Sequence, residues 1–310
     1  MKQNLLLLVL IIFCYNAKAQ KAYPVKKDLM KSFGKNFISV TDKHLMNKYE
    51  VSNDDYHQFL LEMKYRVSTD SFNRLYPDTA KWRNLRTYNE PYVIYYFKHP
   101  AYSEYPVVNI SRAQAEAYCK WLTEYYMRNE QRPYKSVVFR LPTEGEWIMA
   151  YTGKDSSFGF RFPWGYFMKS KPKDVSINYC EAHQEEIRYK SEIKKPDPNS
   201  MKGFLLNSPH YDTISYNYDY QTYQLPAICS GLSSAFYTAN VAAKGFKQNK
   251  AGFYHMAGNV SEMVQGNKTK GGNYLSPGYY TRADAEDEFE GKSPVYPFIG
   301  FRVVMEIIEK

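Results

Sequence analysis

The sequence predicts an α+β fold that is loop-rich and carries little regular secondary structure. Three observations lead there. Three segments open on a helix-capping residue and continue with apolar side chains at helical spacing, while strand-like runs are few and short. Long stretches rich in Tyr, Asn, Pro and charge lie between and after them, and loops of that length within one domain mark a fold built from loops. Tyr is in excess, at 31 of 310 residues. Its ring carries a hydroxyl that needs a partner, which suits a loop-rich body or an interaction surface better than an aliphatic core. The rest of the composition excludes other classes: 16 Gly, 16 Pro and four Cys are too few for collagenous or disulfide-stapled chains, and 44% apolar with 24% charged residues is a globular mixture.

Taken in order, residues 1–19 read as a secretory signal, with Lys2, an apolar run from Leu5 to Cys14, and Ala17-Lys18-Ala19 as a small-x-small cleavage site. The run of about ten residues is half of the roughly twenty that a bilayer span needs, and no other stretch reaches that length. The expected location is therefore secreted or periplasmic. Lipid anchoring through Cys14 is the alternative, opposed by the bulky Phe13 where lipoprotein cleavage wants a small residue. After cleavage Cys119, Cys180 and Cys229 remain, so an oxidising compartment allows one intramolecular pair and one free thiol. Cys180 with Cys229 is preferred, because both fall in polar, loop-like segments.

Residues 20–42 form a basic N-terminal extension without clear periodicity. Lys48 to Val51 is strand-like, and Ser52 caps a helix from Asn53 to Met63 with Tyr56, Phe59, Leu60 and Met63 at helical spacing. A Tyr-, Asn- and Pro-rich segment follows, then the strand-like Tyr105-Pro-Val-Val. Ser111 caps a second helix whose Ala115, Tyr118, Cys119, Leu122 and Tyr126 share a face. Thr143 starts a third, with Glu146 three residues on as the capping-box partner. Beyond Phe158 the regular signals thin into long loops. The net charge of +9 is scattered rather than gathered into a stripe, which argues against a nucleic-acid partner.

Five islands punctuate this chain: Glu50-Val-Ser-Asn-Asp-Asp-Tyr, Tyr105-Pro-Val-Val-Asn-Ile-Ser with Ala117-Tyr-Cys-Lys-Trp-Leu, Arg140-Leu-Pro-Thr-Glu-Gly-Glu-Trp, Gly252-Phe-Tyr-His-Met-Ala-Gly-Asn-Val-Ser-Glu-Met, and Lys270-Gly-Gly-Asn closing with Gly300-Phe-Arg-Val-Val. Read residue by residue, most are structural. Arg140, Glu144 and Glu146 make a helix cap and buried ion pairs that fix Trp147. Trp164-Gly165 is a tight turn, and Gly271, Gly272 and Gly300 offer positive φ or close backbone approach. In this order the islands resemble the formylglycine-generating enzyme family, the sulfatase-modifying factor domain. The resemblance implies one domain over residues 43–306, an elaborated C-type-lectin-like body with an insertion at about 181–231.

That family oxidises a substrate cysteine to formylglycine with two copper-binding Cys on the segment between Gly-Gly and Gly-Phe-Arg. Here those positions fall on Ser276 and Thr281, and a hydroxyl does not replace a Cu(I) thiolate ligand. The resemblance therefore implies a pseudoenzyme that uses no copper. The related iron enzymes need a His cluster, and the six His (His44, His57, His99, His183, His210, His255) show no metal-site spacing, so no iron is expected either. The family's structural calcium would use His255, the carbonyls of Gly258 and Val260, and Glu262; oxygen suits Ca²⁺ and the His255 imidazole does not. A second family site, with Asn178 and Tyr179, meets Ser233 and Ala235 where its Asp and Phe belong and is expected to be lost.

The segments Tyr88-Asn-Glu-Pro-Tyr and Tyr96-Phe-Lys-His-Pro-Ala-Tyr are similar to a non-catalytic branch, the gliding-motility proteins GldK and GldJ. This implies a structural or partner-binding component of a type IX secretion or gliding-type envelope machinery, with protein partners in the cell envelope. Two alternatives stay open: a divergent oxidase or non-heme iron enzyme on the same scaffold, and a lectin-like protein that binds a ligand or glycan.

Overall fold

The computed structural model describes residues 29–85, 88–153, 248–276, 280–292 and 294–310. The signal segment and Cys14, the Cys180 and Cys229 pairing, Trp164-Gly165, Asn178, Tyr179, Ser233, Ala235, His183, His210 and the insertion lie outside the described residues.

Helix α1, Leu29–Asn36, runs directly into strand β1, Phe37–Ser39, which pairs antiparallel with β2, His44–Asn47. Part of the basic extension thus belongs to the folded body, and the boundary at residue 43 cuts through a β-hairpin. The cause is two aromatic rings one helical turn apart: Phe33 is buried edge-on to Tyr126 and close to Phe139, and Phe37 packs on Phe139 in turn. Two rings among lysines are too few to register as periodicity.

Helix α2, Asn53–Met63, starts where its cap predicts, with Ser52 and Asp55 closing a capping box. Short helices α3, Thr69–Asn73, and α4, Glu90–Tyr95, flank a 3₁₀ turn at Thr79–Asn84. Helix α5, Arg112–Met127, is capped by Ser111 with Gln114 reciprocating, and it buries the predicted face together with Trp121. Strand β3, Ser136–Arg140, leads to α6, Glu144–Thr152, capped by Thr143 and Glu146. The chain closes with β4, Ser261–Val264, β5, Lys268–Lys270, β6, Ile299–Phe301, and β7, Val304–Glu309.

Two small sheets result. One has the order β1-β2-β7-β3, antiparallel throughout; the other runs β5-β4-β6, with β4 antiparallel to β5 and parallel to β6. The main core lies between α2, α5 and the sheets, where Tyr56 stacks on Tyr118 and the Tyr118 ring meets Phe301 edge-on. A second cluster under α6 gathers Trp147, Tyr151, Phe253, Met256 and Val304.

The two strand-like segments do not become strands. Ser52 and Pro106 form a single bridge, while Val51 donates its N–H to Phe301 O and accepts at its carbonyl from Val107 N–H. Their β-branched residues are buried as predicted, but they are shared between one another and β6 instead of joining a ladder. The tyrosines also depart from a purely loop or surface role. Tyr56, Tyr96 and Tyr151 are buried, and their hydroxyls reach the carbonyls of Leu75 (2.8 Å), Pro106 (2.7 Å) and Thr281 (2.5 Å). The ring fills the core and the hydroxyl ties down an irregular carbonyl that no sheet satisfies.

Candidate functional site

The islands converge on one buried charge cluster. Arg302, between β6 and β7, is fully buried and donates through Nε to Glu262 Oε2 (3.0 Å) and through Nη2 to Oε1 (2.6 Å). Two more of its N–H groups reach carbonyls, Asn47 O (2.9 Å) and Tyr254 O (2.8 Å). Trp147 of α6 donates its indole N–H to the same Glu262 Oε2 at 2.9 Å. On the other side, Asn259 donates through Nδ2 to Glu50 Oε1 at 2.8 Å. Burial disfavours the Arg302 charge, but the Glu262 carboxylate outweighs it and holds the guanidinium pKa above its ordinary value. Burial also pushes the Glu50 carboxyl up to about 8, reinforced by the Glu262 charge against the pull of Arg302. The cluster thus holds one ion pair and one carboxyl that keeps its proton near neutral pH, so the core carries little net charge there.

A second network sets α6. Arg140 makes a fork to Glu146, both contacts at 2.8 Å, and reaches Glu306 at 2.7 Å, while Thr143 N–H donates to Glu146 Oε2 at 2.8 Å. Burial works against the Glu146 charge, yet Arg140 and the Thr143 amide hold its carboxyl below the usual range. His44 Nδ1 joins at 3.0 Å. Glu144 instead faces Lys268 (2.9 Å) and Lys270 (3.3 Å). Glu146 caps and pairs as its position in the sequence predicts, whereas the Glu144 pair with Lys268 is exposed rather than buried.

Ser276 and Thr281 are buried on the segment after Gly271-Gly272. Ser276 donates its hydroxyl to Glu288 Oε2 at 2.6 Å and accepts from Asn273 N–H at 2.9 Å. Asn273 Nδ2 bridges Ser261 Oγ (3.0 Å) and Glu288 Oε2 (3.2 Å). The Thr281 carbonyl is taken by Tyr151. The cavity between Ser261, Gly271, Gly272, Tyr280 and Glu288 measures 10 Å³, at or below what one water needs. A cleft of 570 Å³ opens beside it, lined by Glu144, Ile148, Lys268, Lys270 and the acidic segment from Asp284 to Glu290. At its floor Lys270 donates to Ala285 O (2.8 Å), and burial lowers the pKa of its ammonium against the opposing Glu144 charge.

The residues proposed for calcium do not fit that ion as they stand. Glu262, the one carboxylate of the set, is neutralised by Arg302 and bonded by Trp147. Gly258 and Val260 flank the buried Asn259, and His255, buried with φ of 52°, brings an imidazole to the fourth position. Calcium needs about six to eight hard oxygen ligands. No group of three or more His, Cys, Asp or Glu among the described residues could hold a metal.

Glu50, Asn259, Arg302 and Glu288 are the residues that sequence reasoning did not single out. Asn259 and Arg302 stand inside apolar, small-residue islands, which is the signal of a buried polar group; Glu50 heads a polar, acid-rich island and Glu288 lies in an acid-rich run, where neither is distinguishable.

Buried charges thus staple irregular loops, and the Gly-Gly segment packs beneath α6, with Gly271 against Trp147. The Sulfatase-modifying factor enzyme 1-like domain matches residues 23–208 and 210–307, so the chain belongs to that family. The family assignment and the mixed helices and strands bear out the loop-rich α+β class. Among solved structures the chain is similar to CarF, at 19% identity over 87% of this chain and 93% of that one, with a TM-score of 0.39. It is also similar to Treponema denticola variable protein 1, at 14% identity over 85% and 84% with a TM-score of 0.45. A third is PvdO from Pseudomonas aeruginosa, at 15% identity over 66% and 63% with a TM-score of 0.34. No curated protein sequence matches the chain.

Proposed function

We propose that this chain is a non-catalytic member of the sulfatase-modifying factor family that acts as a structural or partner-binding component outside the cytoplasm, in an envelope assembly of the type IX secretion or gliding kind. The observation that carries the non-catalytic reading is the state of the two positions where the family holds copper. Both are hydroxyl residues, both are buried, and Ser276 is engaged by Glu288 and Asn273 in the scaffold itself. Neither offers a soft ligand to Cu(I).

The partner-binding reading is supported by exposed aromatic and aliphatic side chains outside the core: Tyr65 at 84%, Tyr88 at 83%, and Ile94 and Tyr95 of α4 at about half. Tyr gives large contact area with few torsions to order. No helix among the described residues is long and apolar enough to cross a membrane. The test is affinity capture from solubilised envelope fractions with the full chain as bait. A stable envelope protein retained by the wild type and lost with Tyr88→Ser and Tyr95→Ser is expected; capture of no specific partner contradicts the reading.

The 570 Å³ cleft supports a second reading, ligand binding, because its size lies in the range of small-molecule sites. Its lining is charged, with Ile148 the largest apolar side chain and no aromatic platform among the described residues, so a charged ligand suits it better than a glycan.

A further inference from the structure

A structural calcium ion holds irregular loops together by collecting a carboxylate and backbone carbonyls from separate segments. Arg302 collects the same kinds of group by hydrogen bonding. Its guanidinium takes both oxygens of Glu262, the carbonyl of Asn47 at the end of β2, and the carbonyl of Tyr254 in the loop before β4. Four of its five N–H donors would be used in a planar fork that needs no further ligand. The set is closed from the other side as well, since Trp147 fills Glu262 Oε2 and His255 presents nitrogen where the ion would need oxygen. A divalent ion on Glu262 would share one carboxylate with a guanidinium already 2.6 Å away, inside a core with no solvent to screen the two cations.

We propose that Arg302 is the internal cation of this site, doing there the work of a structural calcium ion, so that the loops around Glu262 are held without calcium. The guanidinium comes with the chain, and the staple is therefore independent of the calcium in the surrounding medium.

Thermal melting of the full chain in EGTA and in millimolar calcium chloride tests this, with Glu262→Gln and Arg302→Lys alongside. Calcium should leave the wild-type melting temperature unchanged, or shift it no more than it shifts that of Glu262→Gln. Arg302→Lys, which keeps the charge and loses the fork, should melt lower, and calcium should not restore it. A calcium-dependent rise that Glu262→Gln abolishes overturns the proposal, whereas a rise that survives Glu262→Gln unchanged supports it, because Glu262 is then no ligand. If Glu262→Gln does not fold, terbium luminescence replaces it: emission from the wild type that falls in Trp147→Phe places the ion beside Glu262 and overturns the proposal. Emission that is absent, or unaffected by Trp147→Phe, upholds it.

Discussion

Glu50 is the residue whose chemistry departs furthest from its ordinary state. Its folded pKa of about 8 lies above the reference value of 4.5, so between those limits the folded chain binds a proton that the unfolded chain has released. Its contribution to stability is therefore fully present below about pH 4.5 and is lost as pH rises through 8. Glu50→Gln keeps the shape and the Asn259 contact but cannot ionise. The melting temperature of the wild type should fall relative to the variant as pH is raised from 5 to 8, and parallel pH profiles would show that Glu50 is ionised throughout. The same side chain shows why the site was only partly readable. Glu50 heads a polar, acid-rich island that gives no sign of burial, and its partners Asn259 and Arg302 stand more than two hundred residues on, where nothing in spacing pairs them with it.

At the scale of elements, the helices were readable because their starts are local chemistry. Ser52, Ser111 and Thr143 each sit three residues before an Asp, Gln or Glu that completes the box, so cap, first turn and buried face all come from contiguous residues. The strands were not, because Val51 and Val107 satisfy their backbones across distant segments, and β1 owes its place to two rings that only the folded core brings against Phe139. Two substitutions separate these cases. Thr143→Ala removes the α6 cap and should cost about 1 kcal/mol in denaturant unfolding. Gly300→Ala in β6 adds a Cβ 2.9 Å from Val107 O and 3.1 Å from Val260 Cγ2, a clash of space in backbone and packed side chain. It should cost about 1–3 kcal/mol, since the sheet must move away from Val107. A Gly300→Ala chain as stable as the wild type would mean that β6 and Val107 are not in register as described.

At the scale of the molecule, the family resemblance set the architecture and the structure changed what holds it together. Order and identity of the islands were enough for the α+β, loop-rich class, while the reason for the order emerges only in three dimensions. The first, third, fourth and fifth islands supply Glu50, Trp147, Glu262 with Asn259, and Arg302 to a single buried cluster. The same body buries Ser276, whose hydroxyl donates to Glu288, and Thr281, whose carbonyl accepts from Tyr151. The direct test is to supply the full chain with Cu(I), oxygen and a cysteine-containing peptide, and to follow the peptide by mass spectrometry. The account predicts that the cysteine stays unconverted and that no stoichiometric copper is retained. Formation of formylglycine by copper-loaded protein would contradict it.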